Sequence, residues 1–166
     1  MARNFMCTKT DPVVETKAGK LRGFQLDGTY AFHGVKYADA KRFHQPTPVE
    51  PWEGIKNALA YGYVCPMLQQ DQPSNELMVP HRYWPLDENC QYLNIWTQHL
   101  DPNAKKPVLV WLHGGGFAAG SSIEHIAYEG ENMSKYGDVV VISLNHRLNI
   151  LCLLYTSDAA DDMQCV

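Results

Sequence analysis

The chain has 166 residues, 45% of them hydrophobic and 19% charged, enough for one domain with a real core and ordinary for a globular protein. A formal net charge of −4 with no basic stripe argues against nucleic acid as a partner. No apolar run reaches membrane-spanning length, and the five cysteines form no C-x-x-C pair, which excludes a zinc ribbon or a thioredoxin-type redox site.

From the amino terminus, Met1 to Cys7 runs into the polar stretch Thr8–Pro12 without a continuous apolar segment. No secretory signal is therefore expected, and a cytoplasmic setting with the cysteines as thiols is the default. Between Val13 and Val35 three short apolar runs, Val13–Thr16, Lys20–Leu26 and Thr29–Val35, are separated by Gly19 and Asp27-Gly28. This spacing predicts small antiparallel strands, an edge meander supporting a larger sheet, with Asp27-Gly28 as a hairpin turn. From Lys36 to Tyr83 periodicity fails and prolines recur. The aromatics Tyr37, Phe43, Trp52, Tyr61 and Tyr63 nevertheless mark it as an ordered connection packed on the domain rather than a disordered linker.

Strand text returns at Tyr92–Thr97. After the polar turn Lys105-Lys106 comes Pro107–Leu112, an unbroken apolar run that suits a strand buried on both faces. These two strands are expected to be neighbours. The second runs into His113-Gly114-Gly115-Gly116-Phe117. Consecutive glycines at the carboxyl end of a buried strand let the backbone approach a ligand and aim its N–H groups at it. A phosphate cradle would need Gly-Lys-Ser/Thr or spaced glycines, and neither is present. An oxyanion hole, in which backbone N–H groups stabilise the negative oxygen of a tetrahedral intermediate in acyl transfer, fits a His-Gly-Gly-Gly turn. A tight turn that merely spares room for a neighbouring element is the competing explanation of the glycines. Further on, Tyr128–Tyr136 predicts a short helix stopped at Gly137, and Asp138–Ser143 a second apolar strand, so the order is strand, loop, helix, strand. The seven histidines show no His-Glu-x-x-His spacing, and neither a metal nor a cofactor is expected.

Several motifs then follow in a familiar order: Gly34-Val35-Lys36-Tyr37-Ala38, Arg42-Phe43, Trp52-Glu53-Gly54, Tyr61–Pro66, Glu88–Ile95, His113–Phe117, Gly137–Val141 and Asn145-His146-Arg147-Leu148. Together they resemble the amino-terminal part of the type-B carboxylesterase family. The resemblance implies an α/β class: the start of an α/β-hydrolase fold, a small antiparallel meander leading into a mostly parallel central sheet, truncated. It implies hydrolysis of small-molecule carboxylic esters by a serine enzyme through an acyl-enzyme, without a cofactor. The backbone N–H groups of Gly115 and Gly116 would be two oxyanion donors, with a third from the residue after the nucleophile. Gly114 would shape the turn beside the substrate. Phe117 would either wall the acyl or alcohol pocket or, as a core aromatic, fix the loop. His113 would be structural.

The same resemblance places Cys65 and Cys90 where secreted relatives carry a disulfide; without a leader, free thiols are favoured. Arg42 and Glu88 are candidates for a buried ion pair tying the long connection to the sheet, although solvent exposure is the ordinary state of either residue alone. Departures are also evident. Asn89 stands where an Asp is usual, the turn between Ala38 and Arg42 is short, and after Leu151 the text leaves the family pattern. Residues 1–151 are therefore read as the amino-terminal part of a carboxylesterase domain, and 152–166 as a non-native tail. No Gly-x-Ser-x-Gly occurs in the chain, and Ser121-Ser122 lacks the elbow spacing. His125 and His146 lie too early to act as the base, which in this fold follows the nucleophile, and are expected at the surface or behind the site. The alternative function is a non-catalytic protein-binding module of the same fold. A third option, a small standalone domain, would require a closed core; against it, truncation after the second buried strand would leave an apolar edge and face uncovered.

Overall fold

A computed structural model describes residues 3–67 and 82–153. In chain order the strands are β1 (Phe5–Met6), β2 (Val13–Glu15), β3 (Lys20–Arg22), β4 (Phe24–Leu26), β5 (Thr29–Lys36), β6 (Ala38–Asp39), β7 (Thr47–Pro48), β8 (Ile55–Asn57), β9 (Tyr92–Thr97), β10 (Val108–Leu112) and β11 (Val140–Leu144), with helices α1 (Glu131–Gly137) and α2 (Ile150–Leu153). The main sheet has the order β1-β4-β5-β9-β11-β10, and β2-β3-β8 and β6-β7 form two small sheets.

The expected hairpin joins β4 to β5. Asp27 and Gly28 both have positive φ, 49° and 89°, as the two central residues of a turn matched to strand twist require. Lys20–Leu26, however, is not one strand. At Gly23 a Cβ would lie 2.3 Å from Ala31 O, so the chain breaks there and β3 pairs instead with β2 and β8. Nor is Thr29–Val35 mere edge support, because β5 lies inside the main sheet between β4 and β9, with Ala31 and Phe32 each 3% exposed.

β9 and β10 are not neighbours. β11 lies between them, antiparallel to β9 and parallel to β10. The long return through the glycine turn and α1 permits a parallel pairing, and it carries Val140–Leu144 into a position hydrogen-bonded on both edges, burying Val141, Ser143 and Leu144. Among the described residues this is the only parallel pair of the main sheet. β10 is consequently the outer strand rather than a strand buried on both faces. Val108, Val110 and Leu112 are 57%, 52% and 56% exposed, and among the described residues nothing lies beyond them. The edge is long and apolar, as the sequence implied.

The helix starts later than Tyr128. Ile126–Tyr128 is a 3-10 turn, and α1 begins only after Gly130, whose Cβ would lie 2.5 Å from Val141 Cγ1 and 2.8 Å from Trp96 Cε3. This close approach seats the helix start on the sheet. It ends at Gly137 as expected, although the left-handed residue beyond it is Asp138, with φ 50°, held by Lys106 and His99. The long connection contributes β6, β7 and β8 and a parallel bridge from Val64 to Leu86; its stretch 68–81, and the tail from 154 on, lie outside the described residues.

One side chain of β5 is poorly placed to carry charge. The His33 ring stacks on Tyr61 at 4.4 Å and meets Phe24 and Trp96 edge-on at 5.0 and 5.2 Å, while its Nε2 is buried with no hydrogen-bond partner among the described residues. Burial pushes its pKa down to about 4, only partly opposed by the Glu129 charge, with Arg82 lowering it further. The unfolded chain therefore binds this proton at higher pH than the folded one. Stability present above about pH 6.5 should fall by up to about 1.4 kcal/mol per pH unit as pH drops towards 4. Urea midpoints at pH 7.5 and 5 should show this loss, and His33→Phe should flatten it; an unchanged slope in that variant would assign the loss to other groups.

Candidate functional site

The glycine turn leaves β10 at the carboxyl end, where an α/β sheet places its ligands. Gly115 has φ 128° and Gly116 φ 62°, and Phe117 is left-handed as well at 59°. The N–H groups of Ala118 and Ala119 both donate to Gly115 O at 3.1 Å, closing a tight turn. Gly115 cannot carry a side chain here, because a Cβ would stand 1.9 Å from Ala119 O, whereas Gly114 and Gly116 have open space. Among the described residues no acceptor takes the N–H of Gly115 or of Gly116. Donors left without an acceptor among the described residues can serve an oxyanion. Phe117 is 61% exposed and packs into no core, and its carbonyl accepts from Asn149 N at 2.7 Å. The loop returns through Gly120, whose N–H donates to Met67 Sδ at 3.0 Å.

Behind the turn lies a buried polar network. Asn94, 2% exposed on β9, donates to Ser122 Oγ and Ser143 Oγ, both at 3.3 Å, and accepts from Gly34 N at 3.0 Å. Asn145, at the end of β11, accepts from Ser122 N at 2.7 Å and donates to Tyr63 O at 3.0 Å, while its own carbonyl accepts from Tyr37 OH at 2.8 Å. The chain after the glycine turn is thereby tied to β5, β9, β11 and the long connection at once. Buried polar groups satisfied to this degree specify one arrangement of the elements that carry them.

The carboxylesterase family model matches residues 10–163. The chain belongs to the carboxylesterase family. Its fold is accordingly that of an α/β-hydrolase, of which it forms an amino-terminal part. An esterase from anaerobic Clostridium hathewayi, described as able to hydrolyze aliphatic aromatic polyesters, has a solved structure that is 64% identical, with a TM-score of 0.86, over 91% of this chain and 30% of that one. The para-nitrobenzyl esterase of Bacillus subtilis (strain 168) is 35% identical over 89% of this chain and 30% of its own length. The phenmedipham hydrolase of Pseudarthrobacter oxydans is 39% identical, over 87% and 30%. The chain thus spans about 30% of the length of these relatives. No helix among the described residues is long and apolar enough to cross a membrane, and none of their His, Cys, Asp and Glu side chains cluster as a metal site.

In this family member Cys65 and Cys90 lie together in one core cluster with Leu148 and Leu151, as free thiols. Their mutual hydrogen bond and burial push the Cys90 thiol well up, while the same bond, with Leu148 N donating to Sγ at 3.0 Å, draws Cys65 down. Arg42 and Glu88 do pair, with Arg42 Nε 2.8 Å from Glu88 Oε2, and the guanidinium holds the Glu88 carboxyl below the usual carboxylate range. The pair is not buried, however: the Arg42 side chain is 63% exposed, so water screens it. Of the two places expected for His146 it takes the one behind the turn, 7% exposed and against His113. The sequence motifs do not single out Asn94, Ser122, Ser143 and Asn145 for this network. The clue available was a polar residue inside otherwise apolar strand text, at Asn94 and Ser143.

Proposed function

We propose that this chain supplies the oxyanion turn of a serine ester hydrolase acting on small-molecule carboxylic esters through an acyl-enzyme. The observation that carries this is the turn itself: Gly115 and Gly116 lie in conformations open to glycine, with N–H groups that no described residue takes up. Those two N–H groups would stabilise the oxygen of the tetrahedral intermediate, with the third donor, the nucleophile, the acid and the base contributed by sequence that this chain does not contain. Gly114 would keep the turn open beside the ester, and exposed Phe117 would wall the acyl or alcohol side.

The purified chain is expected to turn over no p-nitrophenyl butyrate. Grafted as residues 10–151 into the Clostridium hathewayi esterase in place of the equivalent segment, it is expected to restore turnover to within about tenfold of that enzyme. A graft that folds, as judged by cooperative melting, yet gives no acyl-enzyme burst would sink the proposal and leave the protein-binding alternative.

A further inference from the structure

The imidazole at which the turn begins lies face to face with a second one, two residues beyond the end of β11. We propose that His146 is a positioning residue for the oxyanion turn, acting through His113; this rests on the ester-hydrolase reading above. The two rings are parallel within 8°, with centroids 4.8 Å apart, and the residues are 8% and 7% exposed. Each ring uses Nδ1 on a nearby carbonyl: His113 Nδ1 donates to Gly114 O at 2.8 Å, and His146 Nδ1 to Arg147 O at 3.0 Å. Since a carbonyl only accepts, Nδ1 carries the proton in both.

The consequence for the turn follows from peptide planarity. The Gly114 carbonyl and the Gly115 N–H belong to one trans peptide unit and point in opposite directions across it. Holding Gly114 O with the His113 ring therefore aims the Gly115 N–H, one of the two donors proposed for the oxyanion. The His113 ring can hold that carbonyl only while its own plane is fixed. One face is fixed by His146, and the returning loop closes on its edge at Gly120, where a Cβ would lie 2.8 Å from His113 Nδ1 and 2.5 Å from Gly114 O. His146 in turn is placed by β11, so the flat support and the turn it supports come from two parallel strands. A flat ring at position 146 is the requirement, rather than an imidazole.

His146→Phe keeps such a ring and His146→Leu removes it while remaining apolar and of similar bulk. In the 166-residue chain, the Gly115 and Gly116 amide resonances are expected to shift in His146→Leu and to return towards wild type in His146→Phe. In the grafted esterase His146→Leu should lower kcat on the order of tenfold with KM little changed, and His146→Phe should recover most of it, the two variants melting alike. Unshifted Gly115 and Gly116 resonances in His146→Leu would overturn the positioning role, as would equal kcat in the two variants. Should the wild-type graft itself be inactive, the ester reading fails, and the amide shifts alone decide whether His146 aims the turn.

Discussion

Gly115→Ala in the grafted esterase is expected to lower kcat on the order of a hundred- to a thousandfold, the loss that follows removal of one preorganised oxyanion donor. The cause is steric and local. A Cβ at 115 would stand 1.9 Å from Ala119 O, and the backbone φ of 128° is one that L side chains rarely adopt, so the turn cannot stay as it is. KM should move little, because the donor acts on charge that develops only in the transition state. Gly114→Ala serves as the comparison. A Cβ at that position meets no protein atom within 4 Å and the backbone is not left-handed, so the turn and its donors should keep their geometry and any loss should fall on KM, through crowding of the ester, rather than on kcat. Steady-state kinetics of the two variants decide the matter, and equal, mild losses would show that the turn does not carry the donors.

Asn94→Leu is expected to destabilise the chain by about 3 kcal/mol, read as the shift in urea midpoint at constant slope. The substitution leaves the Gly34 N–H without its acceptor and takes the amide away from the hydroxyls of Ser122 and Ser143, in a place only 2% exposed. Ser143→Ala removes one long bond of 3.3 Å from the same network and should cost about 1 kcal/mol. The order of the two effects is the test. If Asn94→Leu costs no more than Ser143→Ala, the network holds nothing in place and the registration of the turn must come from packing alone.

How much of this was legible beforehand depended on the range of the interaction. The Asp27-Gly28 hairpin was legible because two residues tolerant of positive φ sit between strand-forming runs, a property of four consecutive residues. The turn at Gly115 was legible for the same reason, since consecutive glycines ending an apolar strand have few other uses. The pairing of Arg42 with Glu88 was legible, but not whether it would be buried or keep the exposure ordinary for either residue alone, since neither carries any record of how far the surrounding chain will cover it. The break at Gly23 was hidden, because the clash that enforces it is with Ala31 on another strand.

The amino-acid sequence by itself determined the local conformations and the groups on offer: where strands form, where glycine must turn the chain, and which backbone N–H groups stand at that turn. Only the tertiary structure decided that β11 enters between β9 and β10, that β10 faces outward, and that Asn94, Asn145 and the stacked imidazoles stand behind the turn. Local preferences are set by the few residues around each peptide unit. Strand order and buried partnerships are set by which distant segments satisfy each other's hydrogen bonds and apolar faces at once, and that competition exists only when the whole chain is folded.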